Sequence, residues 1–295
     1  MTDNIKDQSI REIRSDQNVL APEDYVEPRC LLCDEPYGKQ PQVKAVPQQR
    51  IIQKMDEYMS RRDYEGAERH LQYWLEEAKL GCDMRGELLI RNELIGHFRK
   101  TGKREAALEN VEAALALVQE LGFAASVSGG TTFVNAATAC SAFHENERAL
   151  ELFEKARGIY ESDGNTRPDL LGGLYNNMAL CHTALGHYPQ AHTFYEMALE
   201  TMGRVPGGEL EQAITYLNMA DAAAAEKGME ESEEQICRYL DTAYDLLTGS
   251  QAPRDGYYAF VCEKCAPAFA YHGYFLAAQE LEETARRIYE EAQQQ

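Results

Sequence analysis

Residues 174–199 decide the fold, and they read LYNNMALCHTALGHYPQAHTFYEMAL. Apolar residues recur at the three- and four-residue intervals of an amphipathic helix on both sides of Gly186, a residue typical of tight turns. Small residues such as Ala179 and Ala191 stand where two helices must touch, and larger residues fill the positions between them. The stretch therefore predicts two antiparallel helices joined by a short turn.

The same arrangement of small and large residues returns along the chain at a fixed distance. Ala107, Ala149 and Ala191 stand at matching places, each 42 residues from the next. A constant period in the range of about 20 to 50 residues indicates stacked repeats, each of which is one helical unit. The sequence therefore predicts an all-α fold, an α-solenoid of about six helix hairpins.

The repeated motif resembles that of the tetratricopeptide repeat (TPR) family, and the second and third copies carry it as well. The fourth copy has the motif residues Tyr175, Met178, Ala179, His182, Gly186, Ala191, Tyr195 and Ala198. In the third copy His144 replaces the turn glycine. The 42-residue spacing is longer than the usual period of about 34 residues and resembles the kinesin-light-chain variety. The resemblance implies a right-handed solenoid that binds proteins or peptides.

The chain divides into two regions of different composition. Residues 1–47 contain five of the ten prolines and no long apolar period, which predicts an irregular, extended N-terminal arm. Residues 48–295 form the predicted TPR array. Its repeats are expected at about 48–81, 83–121, 126–162, 168–203, 208–249 and 254–291. In the fifth repeat Glu233 stands at the usual alanine place, which indicates a shift of one or two residues.

Two CxxC pairs raise the question of a metal site. Cys30 and Cys33 lie in the arm, where such a pair could supply half of a zinc site. The alternative is that the two leucines between them hold the arm on the array. Cys262 and Cys265 fall at core positions of the sixth repeat and share one helix face, which favours packing. We therefore expect no bound metal, and reduced thiols in a cytoplasmic protein.

Composition argues against several classes of function. The net charge of −20 disfavours binding to nucleic acid or to anionic membranes. The sequence contains neither a run of about 18 apolar residues nor an apolar N-terminal segment, so we expect no membrane span and no signal peptide. It also lacks the common phosphate-binding, nucleophile-elbow and zinc-protease motifs. We expect a protein that is not an enzyme and needs no cofactor.

Recognition of a protein or peptide is the chemistry that remains. The first helices of successive repeats carry Asn92, Asn135, Asn177 and Asn218, spaced by 43, 42 and 41 residues. An asparagine amide both donates and accepts hydrogen bonds, so a row of asparagines could hold the main chain of an extended peptide. A solvated polar face, or contacts between helices, is the alternative. The other candidate groove residues are Arg99, Thr138, Asn176 and Thr183.

Three hypotheses about function follow. The chain is an adaptor that binds an extended peptide or flexible segment in its concave groove, or a peptide-responsive regulator without a DNA-binding domain of its own. The third is a structural assembly unit whose N-terminal arm is docked on the array, with or without zinc. In each case the partner is a protein or peptide, and homo-oligomerisation stays open.

Overall fold

The computed structural model describes residues 43–249 and 252–293. The predicted arm, including Cys30 and Cys33, lies outside the described residues except for residues 43–47, which are not helical. Within the described residues the chain forms twelve α-helices and no strand. The prediction of an all-α array of about six hairpins is therefore confirmed.

The helices pair in chain order into six hairpins. The first three hairpins are α1 (Gln48–Ser60) with α2 (Tyr64–Leu80), α3 (Met84–Lys100) with α4 (Arg104–Glu120), and α5 (Val127–Ala142) with α6 (Asn146–Ser162). The last three are α7 (Pro168–Ala184) with α8 (Tyr188–Met202), α9 (Glu209–Lys227) with α10 (Met229–Gly249), and α11 (Gly256–Tyr271) with α12 (Phe275–Gln293). We call the first helix of each hairpin helix A and the second helix B.

Each hairpin turns at a residue with a positive φ. At Gly102 and Gly186 φ is +71° and +73°, values that glycine adopts without a steric cost. Arg62 and His144 occupy the matching turns with φ of +55° and +66°, so these turns keep the same geometry without a glycine. The turn conformation is therefore a property of the repeat and not of one residue type.

The alanines that set the period lie at the helix crossings. Ala107, Ala149 and Ala191 are each 0% exposed, and each lies in the first half of a helix B. An alanine lets two helix backbones approach closely, and a larger side chain there would separate the helices. The 42-residue period is thus a period of close contacts.

The buried core is divided into three clusters, and helices α3, α4 and α9 each contribute buried residues to two of them. The first joins hairpins 1 and 2, the second runs from hairpin 2 to hairpin 5, and the third joins hairpins 5 and 6. Helix α3 gives Leu94 to the first cluster and Ile95 to the second. Helix α9 likewise gives Ala222 to the second and Ala223 to the third. Both helices therefore bury two faces.

The A helices form the inner wall of the array. From α3 to α11 each A helix packs directly against the next A helix. From hairpin 1 to hairpin 4, helix B packs both on its own helix A and on helix A of the following hairpin. We call the surface lined by the A helices the A-helix groove.

The two ends of the array meet. In the turn of hairpin 1, Arg62 lies 2.5 Å from a carboxylate oxygen of Glu263 in α11, and its guanidinium lies 5.5 Å from the ring centroid of Tyr289 in α12. The Lys100 ammonium, at the end of α3, lies 5.8 Å from the ring centroid of Phe260 in α11. We call these three interactions the end-to-end contact.

The fifth hairpin needs a correction of the sequence alignment, whereas the sixth packs as expected. Ser232, not Glu233, takes the alanine place in α10: it is 2% exposed, and its hydroxyl donates to the carbonyl of Ala223 at 2.8 Å. The shift in the alignment of this repeat, expected to be one or two residues, is therefore one residue. In hairpin 6, Cys262 and Cys265 are 0% and 1% exposed and belong to the third core cluster. Burial raises the pKa of Cys265 to about 12, as expected of a packed thiol.

Candidate functional site

The first pair of groove asparagines is joined by a hydrogen bond between α3 and α5. Asn135 Nδ2 donates to Asn92 Oδ1 at 2.9 Å. Asn92 Nδ2 in turn donates to the carbonyl of Leu88 at 2.9 Å and to the hydroxyl of Thr132 at 3.1 Å. Thr132 is 1% exposed, so this end of the network is buried. The Asn92 amide is therefore bonded at both its oxygen and its nitrogen.

A second pair joins α7 to α9. Asn218 Nδ2 donates to Asn176 Oδ1 at 3.0 Å. The predicted row of four asparagines is thus arranged as two pairs, and in the second pair Asn176 takes the place that the spacing assigned to Asn177. Among the described residues the Asn177 side chain has no hydrogen-bond partner, and it is half-buried.

Each pair keeps bonding capacity that the described residues do not use. Asn135 and Asn218 each donate one hydrogen within the array, and their carbonyl oxygens and second hydrogens have no partner among the described residues. An amide has two donors and one acceptor oxygen, so each retains one donor and one acceptor. A peptide bond presents the complementary acceptor and donor. Asn92 and Asn176 hold these two amides in place.

The remaining predicted groove residues differ in their availability. The hydroxyl of Thr138 donates to the carbonyl of Val134 at 2.8 Å in its own helix. Thr183 donates to Ala179 O at 3.0 Å and lies 3.3 Å from the Tyr195 hydroxyl in α8, so its bonds stay inside its own hairpin. Arg99 is exposed and forms no ion pair with a described residue.

A cavity of about 490 Å³ lies beside the first asparagine pair, between α3 and α5. We call it the α3–α5 cavity. Asn92 and Asn135 line it together with Glu93, Arg85 and Phe123. The Arg85 guanidinium lies 5.4 Å from the Phe123 ring centroid. Desolvation by burial, followed by repulsion from Asp56, raises the pKa of Glu93, so this wall has an unfavourable negative charge.

A second cavity of about 740 Å³ lies between α9 and α11, beside the second pair. Asn218 lines it, as do Leu217, Met229, Lys264 and Tyr271. Tyr271 is 71% exposed and Met229 is 44% exposed, so large apolar side chains are available at this wall. Each asparagine pair therefore adjoins a space that a partner's side chain could fill.

Sequence reasoning missed two residues that matter at this site. Glu93 had no distinguishing signal among 49 acidic residues, and Thr132 fits the pattern of an ordinary core position. His182, one of the repeat-motif residues, stacks on Phe194 with the ring centroids 5.4 Å apart. Within residues 43–249 and 252–293 no group of three or more His, Cys, Asp or Glu side chains could hold a metal ion. No helix in that part of the chain is both long enough and apolar enough to span a bilayer.

Comparisons with known proteins find one matching family model and several similar solved structures. The sequence model of the tetratricopeptide repeat family matches residues 87–162. Among solved structures, the nearly identical TPR-like repeats of a candidate kinesin light chain from Podosopora anserina are 18% identical to this chain. That match covers 70% of this chain and 96% of the other, with a TM-score of 0.46. BtubC (BKLC) from P. vanneervenii is also 18% identical, covering 83% of this chain and 91% of its own length with a TM-score of 0.45.

A search of curated proteins gives no match. The similarity to the tetratricopeptide repeat family therefore rests on residues 87–162 and on the helices that contain them. Residues 87–162 span hairpin 3 and most of hairpin 2, and the same A–B hairpin arrangement continues on both sides of them. Residues 87–162 of this chain are therefore similar to tetratricopeptide repeats, and the 42-residue period of the chain resembles that of the kinesin-light-chain variety.

Proposed function

We propose that this protein is a non-catalytic interaction protein that binds an extended segment of a partner protein along the A-helix groove. TPR arrays in general mediate contacts between proteins. The observation that carries the proposal is the pairing of groove amides, which leaves Asn135 and Asn218 each with a donor and an acceptor.

The spacing of the two amides suits an extended chain. Asn135 lies on α5 and Asn218 on α9, so two helix-to-helix steps separate them. Packed helices lie about 8–10 Å apart, which puts the two amides about 16–20 Å apart. An extended chain rises about 3.3 Å per residue, so it covers this distance in about five or six residues. We therefore expect two main-chain contacts that far apart in the bound segment.

The pairing also supports binding energetically. Asn92 and Asn176 restrict the rotation of the half-buried Asn135 and Asn218 amides before any partner arrives. A side chain that is already held loses less conformational entropy on binding, so more of the free energy of each hydrogen bond contributes to the affinity. Each such bond contributes about 0.5–1.5 kcal/mol net. The amides recognise the main chain, and the two neighbouring cavities are left to select side chains.

The test is a selection of phage-displayed random 12-residue peptides on the full chain, followed by calorimetric titration of a selected peptide. The Asn135→Ala/Asn218→Ala double variant should bind that peptide about 10- to 100-fold more weakly, because it loses up to four hydrogen bonds. Asn165→Ala is the matched control, because Asn165 is exposed in the loop between α6 and α7. Equal affinity in the double variant, or a selection that yields no binder, would refute the proposal.

A further inference from the structure

Glu93 is an acidic side chain without a counter-ion inside a cavity. It is half-buried in the wall of the α3–α5 cavity, and its carboxylate has no hydrogen bond or ion pair with a described residue. Glu87, two turns earlier in the same helix, shows the contrast: it accepts from Arg91 Nε at 2.8 Å. Most charges at comparable depth in a protein are paired, so an unpaired one indicates a missing partner.

The neighbouring charges do not neutralise Glu93. Arg85 lines the same cavity, but its guanidinium lies over the Phe123 ring and forms no ion pair with a described residue. The other charge close enough to act on Glu93 is Asp56 of α1, which has the same sign. Both the partial burial of Glu93 and the repulsion from Asp56 raise the pKa of Glu93. The free cavity thus disfavours the ionised carboxylate, and a cation placed there would relieve this cost.

The rest of the cavity wall suits the stem of a long basic side chain. Leu88, Leu89 and Phe123 present apolar surface, and Asn135 stands at the same cavity with its free donor and acceptor. Lysine and arginine lay an aliphatic stem along apolar surface and place the charge at its end. A cavity of about 490 Å³ lies within the usual range for side-chain and ligand pockets.

We propose that the α3–α5 cavity binds a lysine or arginine side chain of the partner's extended segment, with the Glu93 carboxylate as its counter-ion. The proposal rests on the proposed function, because Asn135 would hold the main chain next to that basic residue. It adds a sequence preference that the amides alone do not impose. The net charge of −20 also favours the approach of a basic segment, because it attracts positive charge.

The experiment uses the peptides selected on the wild-type chain. They should share a basic residue at one position, and Glu93→Gln should weaken binding about 10- to 100-fold, as expected for a lost charge-assisted bond. A peptide with citrulline in place of that arginine, or norleucine in place of that lysine, should bind wild type and Glu93→Gln equally. Glu109→Gln is the control, because Glu109 is exposed on α4 and forms no bond with a described residue.

The outcomes separate this inference from the proposed function. Selected peptides without a shared basic residue, or equal binding to wild type and Glu93→Gln, would overturn the counter-ion role. If Asn135→Ala/Asn218→Ala still weakened those peptides, the groove would stand and only the charge preference would fall. If neither variant changed the affinity, both would fall. A thermal melt accompanies each titration, and Glu93→Gln should unfold no earlier than wild type, because it removes an unfavourable charge.

Discussion

Reversing the charge of Arg62 should separate the two ends of the array. Arg62 takes part in two of the three interactions of the end-to-end contact, the ion pair with Glu263 and the cation–π contact with Tyr289. In an Arg62→Glu variant both are lost, and two carboxylates face each other. Restoring the opposite charges in Arg62→Glu/Glu263→Arg should bring the ends together again.

The magnitude follows from the exposure of these groups. The side chains of Arg62 and Glu263 are 60% and 46% exposed, and an ion pair in that setting contributes about 0.2–1 kcal/mol. Each exposed cation–π contact contributes about 0.5–1 kcal/mol. Together the three give about 1–3 kcal/mol, which corresponds to closed forms exceeding open ones by about 5- to 150-fold. Losing two of them and adding repulsion should make the open form at least as populated as the closed form.

Small-angle X-ray scattering measures this directly, since opening raises both the radius of gyration and the maximum dimension. The order expected for the radius of gyration is Arg62→Glu larger than wild type, with the double reversal close to wild type. At about 1 M salt the radius of gyration of the wild type should rise, because the Debye length is then about 3 Å and the ion pair is screened. Arg69→Glu is the control, since Arg69 pairs with Glu65 inside α2 and takes no part in the end-to-end contact.

Identical scattering curves for wild type, Arg62→Glu and the double reversal would show that these interactions do not hold the ends together. An increase in Arg69→Glu as large as that in Arg62→Glu would mean that general charge, and not this contact, sets the dimensions. Either result would refute the reasoning.

Three further predictions concern stability and reactivity. Gly186→Ala should lower the free energy of unfolding by about 1 kcal/mol because φ is +73° there, whereas His144→Gly, at φ +66°, should be neutral or stabilising in the same denaturation assay. A hydrogen bond from Lys103 lowers the pKa of Glu68, so its contribution to stability is present above pH 4.5 and is lost as the pH falls through the lower folded value. The melting temperatures of wild type and Glu68→Gln should therefore converge in acid, and a constant difference would contradict this. Cys265, 1% exposed with a pKa of about 12, should react with iodoacetamide only in denaturant, as peptide mass spectrometry would show.

The fold could be predicted from the sequence because its decisive contacts are local and periodic. Ala107, Ala149 and Ala191 recur every 42 residues, and each is completely buried at a helix crossing. The turn of hairpin 3 was assigned to His144 without a glycine, and its φ is +66°. Such features depend on a few neighbouring residues, so they can be predicted from a single amino-acid sequence.

The asparagine register could be predicted only approximately. Spacings of 41 to 43 residues leave an uncertainty of one position, and one position rotates a side chain by about 100° around a helix. That is why Asn177 was aligned with Asn218, while the hydrogen bond is made by Asn176. The alternative interpretation, asparagines that join helices, describes Asn92, whose oxygen and nitrogen are both bonded, whereas Asn135, Asn176 and Asn218 retain bonding groups without a described partner.

The end-to-end contact and the unpaired state of Glu93 had no signal in the sequence. Arg62 and Glu263 are 201 residues apart, and their meeting depends on the summed rotation of all six hairpins. Glu93 stays unpaired because the cation that lines the same cavity, Arg85, lies over the Phe123 ring instead. That arrangement depends on how the side chains pack. Neither follows from composition or spacing.

The division of the core into three clusters has a mechanical consequence. Helices α3 and α4 join the first block to the second, and α9 joins the second to the third, because each of these helices buries residues in two clusters. A substitution in α3 is felt by the blocks on both sides, whereas one in α11 stays within the last block. A ligand that grips both Asn135 and Asn218 would span from the middle block to the joint at α9 and brace it against bending.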